Sequence, residues 1–338
     1  MNLTIITPVY NDWDSFRILI REIDRVCANM GMQIHVLAID DGSFMAPDAQ
    51  QLSFGVLGVV RKVEIIKLVC NLGHQRAIAV GLAVAMSHAV ADAILVMDSD
   101  GEDRPHDIPS LVRASCQHPG AIICARRMNR SEGLGFRICY RLYKSVFRLF
   151  TGAVIDFGNF CLIPVGTLRL LTYNSNIWNN LAASIVRSRI PLHRVNTARG
   201  VRYAGRSHMN IVALITHGLS AVSAYSDICL VRLLITLLGL AFVIVLGLIG
   251  LFVIRFATEA AIPGWTSTVF GLLCAILLQA LMIAGMAVFM LLSSRSYAQI
   301  VPAIDSVRYI ANRDMLRLEQ QNGQANWTRT ASVIPATS

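Results

Sequence analysis

Two long apolar stretches constrain the fold of this chain more than any other feature. Residues 231–254 carry a single charged residue, Arg232, and residues 269–292 carry none. Each stretch is 24 residues long, and about 20 apolar residues are enough for a helix to cross a bilayer. We therefore predict a two-helix transmembrane hairpin over residues 230–295.

Charges on either side of this hairpin predict its orientation. Lysine and arginine outnumber aspartate and glutamate by 30 to 21. Arginines follow the second stretch at positions 295, 308, 313 and 317, and cytoplasmic flanks of membrane helices collect such residues. We expect a multi-pass protein of the inner or plasma membrane whose N-terminal domain and tail are cytoplasmic. Because the basic residues accompany membrane segments and no nucleic-acid-binding motif occurs, we expect no nucleic-acid partner.

The region before the hairpin alternates short apolar runs with helical patterns. Strand-like runs occupy residues 3–7, 34–39, 63–68, 93–97 and 120–125. Helical periodicity occupies residues 13–30, 76–89 and 108–117. This alternation predicts an α/β domain with a Rossmann-like, mostly parallel sheet and helices on both of its faces.

Three of the predicted strands end in polar clusters. These are Thr-Pro-Val-Tyr-Asn-Asp at 7–12, Asp-Asp-Gly-Ser at 40–43 and Asp-Ser-Asp at 98–100. Open α/β sheets bind ligands at the carboxyl ends of their strands, so three such ends predict a site, whereas one alone would suit an acidic turn. The carboxylates of Asp98 and Asp100 are hard oxygen ligands that suit Mg²⁺ or Mn²⁺. No glycine-rich phosphate loop occurs, so we expect phosphates to be held by metal and basic side chains.

Basic and aromatic residues interleave at helical spacing over residues 136–150. This pattern predicts an amphipathic helix on a membrane surface, with a solvated charged face as the alternative. The predicted organisation is a cytoplasmic α/β domain with the predicted site at 1–208, interfacial amphipathic helices at 209–229, the hairpin at 230–295 and a cytoplasmic tail at 296–338. The polar end of that tail, residues 320–338, is expected to be disordered. Eight cysteines without a paired-cysteine motif predict neither a zinc site nor a disulfide framework.

Taken together, the motifs resemble a known family. The segments 7–12, 40–43, 71–74 and 98–100, in this order, resemble family-2 glycosyltransferases of the GT-A fold. The segments 156–160 and 202–207 and the two apolar stretches are similar to the polyprenyl-phosphate group, which includes dolichol-phosphate mannose synthase. The resemblance covers roughly residues 3–295. It implies inverting transfer of a sugar from a UDP- or GDP-linked donor to polyprenyl phosphate, and it makes a homo-oligomer plausible.

The resemblance also implies roles for individual residues. Those expected to bind the nucleotide sugar are Pro8, Tyr10, Asp12, Asp40, Asp41 and Asp98. Those expected to bind the metal, Mg²⁺ or Mn²⁺, are Asp98, Asp100 and Glu102. Those expected to bind the acceptor or its phosphate are Arg126, Arg137, Arg202 and Ser207. Asp98, Asp100 and Arg202 are the expected catalytic residues.

The chain departs from the family pattern at several of these positions. Glu102 stands where relatives often have glutamine, and the second acid and the arginine of a common Asp-x-Gly-Asp-Phe-Arg motif are replaced by Asn159 and Cys161. His208 replaces a common lysine and Tyr140 a common serine, so acceptor contacts are expected to differ. A lipid phosphate is mostly dianionic at neutral pH, since its second pKa lies near 6. Such a nucleophile needs no catalytic base, which makes the loss of an acid at 159 tolerable.

Two other functions fit parts of the sequence. A processive or other family-2 polysaccharide or glycolipid synthase shares the sheet and the Asp-x-Asp pair. A processive synthase should carry Gln-x-x-Arg-Trp before its membrane helices, and no tryptophan of this chain, at 13, 178, 265 or 327, completes that motif. An inactive membrane scaffold would tolerate Asp100→Ala and show no metal dependence.

Overall fold

The structure is a computed structural model that describes residues 1–48, 50–87, 91–127, 144–204, 211–258, 264–296, 298–321 and 324–332. The chain divides into two compact units. The sheet unit comprises Met1–Cys139, Val154–Ala224 and Ile300–Ser338. The helical unit comprises Tyr140–Ala153 and Tyr225–Gln299. The predicted boundaries at 208, 229 and 295 stay a prediction.

A single sheet forms the centre of the sheet unit. Its strands are β1 (Asn2–Val9), β2 (Gln33–Asp40), β3 (Val60–Leu68), β4 (Ala93–Val96), β5 (Ile122–Arg127), β6 (Cys161–Pro164), β7 (Leu192–Thr197), β8 (Ile310–Gln321) and β9 (Gln324–Ser332). Their order is β7-β5-β6-β4-β1-β2-β3-β8-β9. Within the described residues, β6 and β8 run opposite to their neighbours and the other seven strands share one direction. The predicted mostly parallel sheet is confirmed.

Helices connect most of these strands. In the sheet unit the α-helices are Trp13–Cys27, His74–Ser87, Ile108–Gln117, Val165–Thr172, Leu181–Arg187, Ile211–Ser223 and Pro302–Asp305. Short 3₁₀ helices occupy Pro105–Asp107, Ser175–Trp178 and Ser306–Tyr309. The helical unit contains Ser226–Ala257 and Trp265–Ser296, together with a helical segment at 144–151.

The helices cover both faces of the sheet, as predicted. The helix Trp13–Cys27 buries an apolar stripe that includes Phe16 and Ile20, and this stripe packs with one face of the central strands. The opposite face packs against His74–Ser87, whose small residues allow a close approach. A Cβ on Gly81 would lie 2.6 Å from Cγ2 of Ile6. Both faces of the central strands are therefore dry, which explains their unbroken apolar sequences.

Disorder was predicted for the end of the C-terminal tail, residues 320–338, where the structure has strand residues up to position 332. Strand β8 pairs antiparallel with β3, and β9 pairs with β8, so the described residues up to 332 extend the sheet. The buried carboxylate of Glu64 in β3 lies 3.2 Å from Nε of Arg313 in β8 and 2.7 Å from Nζ of Lys62. A polar segment added to a sheet edge is held by backbone pairing, which leaves no apolar signature in the sequence.

Among the described residues, two helices are long and apolar enough to cross a membrane, and both belong to the helical unit. Each has 32 residues. They pack against each other, with large side chains such as Phe242 and Phe289 exposed on the outside. The side chains that these helices bury are Ala241, Ile244, Leu251, Ala280, Ala284 and Ala287. Small residues at a helix contact and large apolar ones outside are typical of helices in lipid.

The charge inside the first apolar stretch has a structural partner. Nη1 of Arg232 donates a hydrogen bond to the carbonyl oxygen of Leu149, 2.6 Å away, near the end of the helical segment at 144–151. A cation at a helix C-terminus satisfies carbonyl groups that the helix leaves open. In the same unit the buried ring of Phe147 meets the ring of Tyr225 edge-on. The rest of the predicted basic helix, residues 136–143, lies outside the described residues.

Candidate active site

The loops that follow β1 and β2 are tied to each other. The backbone N–H of Asn11 donates to Oγ of Ser43 at 2.9 Å, and the N–H of Phe44 donates to Oδ1 of Asn11 at 3.0 Å. Asn11 has a φ of +52°, a left-handed conformation that asparagine tolerates better than most residues. The exposed rings of Tyr10 and Phe44 lie 6.0 Å apart beside this connection. Pro8 is buried within β1.

The two carboxylates at the end of β2 are buried and hold backbone groups. Oδ1 of Asp40 accepts from the N–H of Ser43 at 2.8 Å. Asp41 accepts from the N–H groups of Leu72 and Gly73, at 2.7 and 3.0 Å, just before the helix His74–Ser87. Burial raises the pKa of Asp41, although these two hydrogen bonds oppose the rise. Both aspartates thus shape the loops, and direct contact with a nucleoside stays a prediction.

The acidic turn, residues 98–103, follows β4 and is folded by its own carboxylates. Oδ2 of Asp103 accepts from the N–H of Asp98 at 3.0 Å, and Oδ1 of Asp100 accepts from the N–H of Glu102 at 2.9 Å. Burial, followed by the charge of Asp98, raises the pKa of Asp103 to about 7. Burial likewise raises the pKa of Asp100, with Asp98 and Glu102 adding to the rise. Burial is thus the main cause of both rises, and the neighbouring carboxylates add to it.

Glu102 is engaged by two arginines. Its Oε1 lies 2.7 Å from Nη2 of Arg199, and its Oε2 lies 3.4 Å from Nη1 of Arg127. Arg127 also reaches Asp103, with Nη2 2.9 Å from Oδ1. In the part of the chain that the structure describes, no group of three His, Cys, Asp or Glu side chains is placed to hold a metal ion. The assignment of Asp98, Asp100 and Glu102 as metal ligands stays a prediction.

A strap, residues 199–203, lies across the acidic turn. The N–H of Gly200 donates to the carbonyl of Glu102 at 2.8 Å, and the N–H of Tyr203 donates to the carbonyl of Asp100 at 2.9 Å. Gly101 has a φ of +90°, and a Cβ there would lie 2.8 Å from the ring of Tyr203. A side chain at Gly101 or at Gly200 would not fit between the strap and the acidic turn. The sequence analysis gave neither glycine a role.

Arg202 joins the end of β1 to the acidic turn. Its Nη1 lies 3.3 Å from Oδ2 of Asp100, and its Nη2 lies 3.4 Å from Oδ2 of Asp12. All three side chains are about one-fifth to one-quarter exposed. The structure therefore brings together three residues that the sequence analysis selected from distant segments, at the carboxyl edge of the sheet where it predicted a site.

His74 is a site residue to which the sequence analysis gave no role. Its Nε2 lies 3.2 Å from Oδ1 of Asp98 and 3.0 Å from Nδ2 of Asn159. Oδ1 of Asn159 accepts from Nε2 of Gln75 at 3.0 Å. Desolvation lowers the pKa of His74, but the charge and hydrogen bond of Asp98 outweigh it, and the net direction is upward. The unusual Asn159 was the available signal, since it replaces an acid beside the Asp-x-Asp strand.

The remaining predicted site residues are only partly placed. Nε of Arg126 lies 3.5 Å from Oδ2 of Asp156, whose Oδ1 accepts from Arg194 at 2.8 Å, so Arg126 already has an acidic partner. Arg137 and Ser207 lie outside the described residues, as do Tyr140 and His208.

The fold and the site define an open α/β domain with an acidic, arginine-lined site at the carboxyl ends of three parallel strands. The family model described as "Glycosyl transferase family 2" matches residues 4–174. This match spans half of the chain and contains the loops after β1, β2 and β4. The chain belongs to glycosyl transferase family 2.

Curated relatives of this chain include proteins described as undecaprenyl-phosphate 4-deoxy-4-formamido-L-arabinose transferase. The protein of this description from Klebsiella pneumoniae subsp. pneumoniae is 31% identical over 157 residues, which are 46% of this chain and 46% of that protein. The chain therefore spans about half the length of this relative. The protein from Edwardsiella ictaluri is 26% identical over 271 residues, 74% of this chain and 77% of that protein.

Solved structures of glycosyl-transferring synthases are also similar. Glucosyl-3-phosphoglycerate synthase from Mycobacterium tuberculosis, with Mn²⁺, UDP-glucose and phosphoglyceric acid, covers 68% of this chain and 79% of its own, at 13% identity and a TM-score of 0.49. Mannosyl-3-phosphoglycerate synthase from Rubrobacter xylanophilus covers 99% of this chain and 88% of its own, at 12% identity and a TM-score of 0.49.

Proposed function

We propose that this chain is an inverting glycosyltransferase that moves a sugar from a UDP- or GDP-linked donor to the phosphate of a polyprenyl lipid. The observation that carries the proposal is the position of Arg202 between Asp12 and Asp100. This position puts a cation suited to binding phosphate between the predicted nucleoside loop and the Asp-x-Asp pair. The product would be a polyprenyl-phosphate-linked sugar for later glycan or lipid modification.

The acidic turn suits a divalent metal carried by the donor. Proteins bind Mg²⁺ through one or two carboxylates together with substrate phosphates. Asp98 and Asp100 supply that number at the carboxyl end of β4. Asp98 and Asp100 would hold Mg²⁺ or Mn²⁺, while Glu102 would keep its two arginines. When bound, the metal would supply charge neutralisation for the departing nucleoside diphosphate.

The side chains of the site suit two phosphate groups. Arginine binds phosphate oxygens in pairs through its planar fork. Arg202 would bind the donor diphosphate, with Arg126, Arg137 and Ser207 expected at the acceptor phosphate. Because the acceptor is already dianionic, the principal tasks are to hold two anions together and to stabilise the leaving group. The side chain of Asn159, an amide in place of the family's acid, would position His74 and would not act as a base toward the acceptor.

The acceptor class is supported by two observations. The relatives are described as undecaprenyl-phosphate transferases, and the helical unit has two helices able to cross a membrane. Both ends of Tyr225–Gln299 continue into the sheet unit, because β8 returns to pair with β3. A segment that leaves and rejoins one domain supports the predicted two-helix hairpin. The basic flanks favour the cytoplasmic side for that domain.

A panel assay tests the proposal. The full-length protein in nanodiscs would receive Mg²⁺ or Mn²⁺, labelled UDP- and GDP-sugars, and undecaprenyl or dolichyl phosphate. We expect label in a lipid product that carries one sugar, and none when the matched acceptor is the unphosphorylated polyprenol. A polymeric product would instead support a processive synthase. Absence of lipid-linked label with every donor would contradict the proposal.

A further inference from the structure

Arg202 contacts the carboxylate to which the proposed function assigns the metal. Both oxygens of Asp100 have partners, because the N–H of Glu102 donates to Oδ1 and Nη1 of Arg202 lies 3.3 Å from Oδ2. A divalent cation placed on the same carboxylate would meet the guanidinium at short range. Two like charges a few ångströms apart repel strongly in a site of reduced solvent access. A divalent cation and the guanidinium would therefore compete for Asp100.

The strap keeps Arg202 near this carboxylate whatever its side chain binds. The backbone N–H of the next residue, Tyr203, donates to the carbonyl of Asp100, and the N–H of Gly200 donates to the carbonyl of Glu102. The guanidinium can therefore change partners through its own rotamers without movement of the main chain. It need only turn away from Asp12 and Asp100 to meet an anion bound beside the turn.

The present contacts leave part of the guanidinium unsatisfied. Nη1 and Nη2 face Asp100 and Asp12 at 3.3 and 3.4 Å, which are long for charge-assisted hydrogen bonds. The buried Nε of Arg202 has no hydrogen-bond partner among the described residues. A buried donor without a partner is unfavourable. Arg202 is thus held by charge in an arrangement that an incoming phosphate can improve upon.

We propose that Arg202 occupies the cation position of Asp100 in the absence of donor, and that metal-bound donor displaces it onto the diphosphate. This inference rests on the proposed function. Its signature is a change of sign. Without nucleotide Arg202 opposes metal binding at Asp100, whereas with nucleoside diphosphate it supports metal binding by holding the phosphates that share the metal. If Arg202 were purely structural, its substitution would either leave metal binding unchanged or weaken it both with and without nucleotide.

Mn²⁺ binding to the full-length protein in detergent, followed by the spin-resonance signal of free Mn²⁺, tests this exchange. Without nucleotide, Arg202→Gln should bind Mn²⁺ about three- to tenfold more tightly than the unaltered protein, the range expected for loss of one partly exposed cation. With UDP or GDP present, the same variant should bind Mn²⁺ more weakly than the unaltered protein. Arg202→Lys, which keeps the charge but not the fork, should tighten binding less in the first condition.

Two further variants make the outcomes distinct. Arg199→Gln removes the same charge from the same strap but leaves the contact between Asp100 and Arg202, so its nucleotide-free affinity should stay within about twofold. Asp100→Asn should abolish Mn²⁺ binding, leave the signal of free Mn²⁺ undiminished, and so assign the binding to the acidic turn. Equal nucleotide-free affinities in Arg202→Gln and the unaltered protein, or equal tightening in Arg199→Gln, would overturn the exchange. No Mn²⁺ binding by the unaltered protein, even with nucleotide, would instead contradict the proposed metal site itself.

Discussion

Gly200 approaches Gly101 so closely that a Cβ on Gly200 would lie 2.0 Å from the carbonyl oxygen of Gly101. The two glycines are far apart in the sequence, and their contact places the strap against the acidic turn. Arg202 reaches Asp100 because of this approach. The site thus depends on backbone proximity as much as on its charged side chains.

Substitution of Gly200 by alanine should disrupt the site. The new Cβ would meet backbone at 2.0 Å, and backbone cannot move aside as a flexible side chain can. Overpacking of this kind costs about 1–3 kcal/mol of folding free energy, and we expect sugar transfer to fall at least tenfold as the strap shifts. Gly166→Ala is the matched control, because a Cβ there meets nothing within 4 Å. Equal transfer by the two variants would refute a close-packed strap.

Glu102→Gln should affect metal dependence less than Asp100→Asn does. Glu102 holds Arg199 and Arg127, and a glutamine oxygen can still accept from one of them. We expect the Mn²⁺ concentration for half-maximal transfer to rise about twofold in Glu102→Gln, and about tenfold or more in Asp100→Asn, which loses a proposed ligand. The measurement is a metal titration of lipid-linked product. If Glu102→Gln raised this Mn²⁺ concentration as much as Asp100→Asn does, Glu102 would be a metal ligand.

The pKa of His74 predicts a pH-dependent contribution to stability in metal-free buffer. Its folded value is raised by Asp98, so protonated His74 stabilises the fold fully below the unfolded pKa. That contribution is lost as pH rises through the folded pKa. Thermal unfolding midpoints with EDTA should therefore show His74→Gln losing most relative to the unaltered protein near pH 6, and progressively less at higher pH. A difference that grows with pH would have the wrong sign.

Restoring an acid at position 159 should not create a faster enzyme. Asn159 contacts His74 and Gln75, and the dianionic lipid phosphate needs no base. We expect the rate with Asn159→Asp to stay within about threefold of the unaltered protein, whereas a positioned general base typically contributes 10²–10⁴-fold. The comparison variant Asn159→Ala removes both contacts. A gain of 100-fold or more in Asn159→Asp would show that this chain lacks a base it could use.

Much of the fold could be predicted because the spacing of apolar residues indicates which segments form helices and which form buried strands. The central strands are buried on both faces, and the helix Ile108–Gln117 was predicted with the bounds observed. Strand β6 was missed because it has only four residues. Strand β7 was missed because it is a partly exposed edge strand without an apolar run. Strand β8 was missed because its pairing partner, β3, lies more than 240 residues earlier in the chain.

The candidate site was predictable to a similar degree. Asp98 and Asp100 could be selected from their residue types at a strand end, whereas Asp12 and Arg202 were selected through the family resemblance of the motifs and their order. The partners of Glu102 could not, because nothing local to position 102 indicates Arg127 or Arg199. The same holds for His74 and Asn159, which meet only through the packing of the helix His74–Ser87 beside the loop at 156–160. Contacts between distant segments depend on the folded backbone.

One measurement tests the central claim most directly. Lipid-linked product would be quantified for the unaltered protein and Asp100→Asn with undecaprenyl phosphate and the donor that the panel identifies, each with Mg²⁺ or Mn²⁺ and with EDTA. The account predicts transfer that requires a divalent cation and falls about 100-fold or more in Asp100→Asn. Transfer that persists in Asp100→Asn or in EDTA at the rate of the unaltered, metal-supplied protein would contradict it.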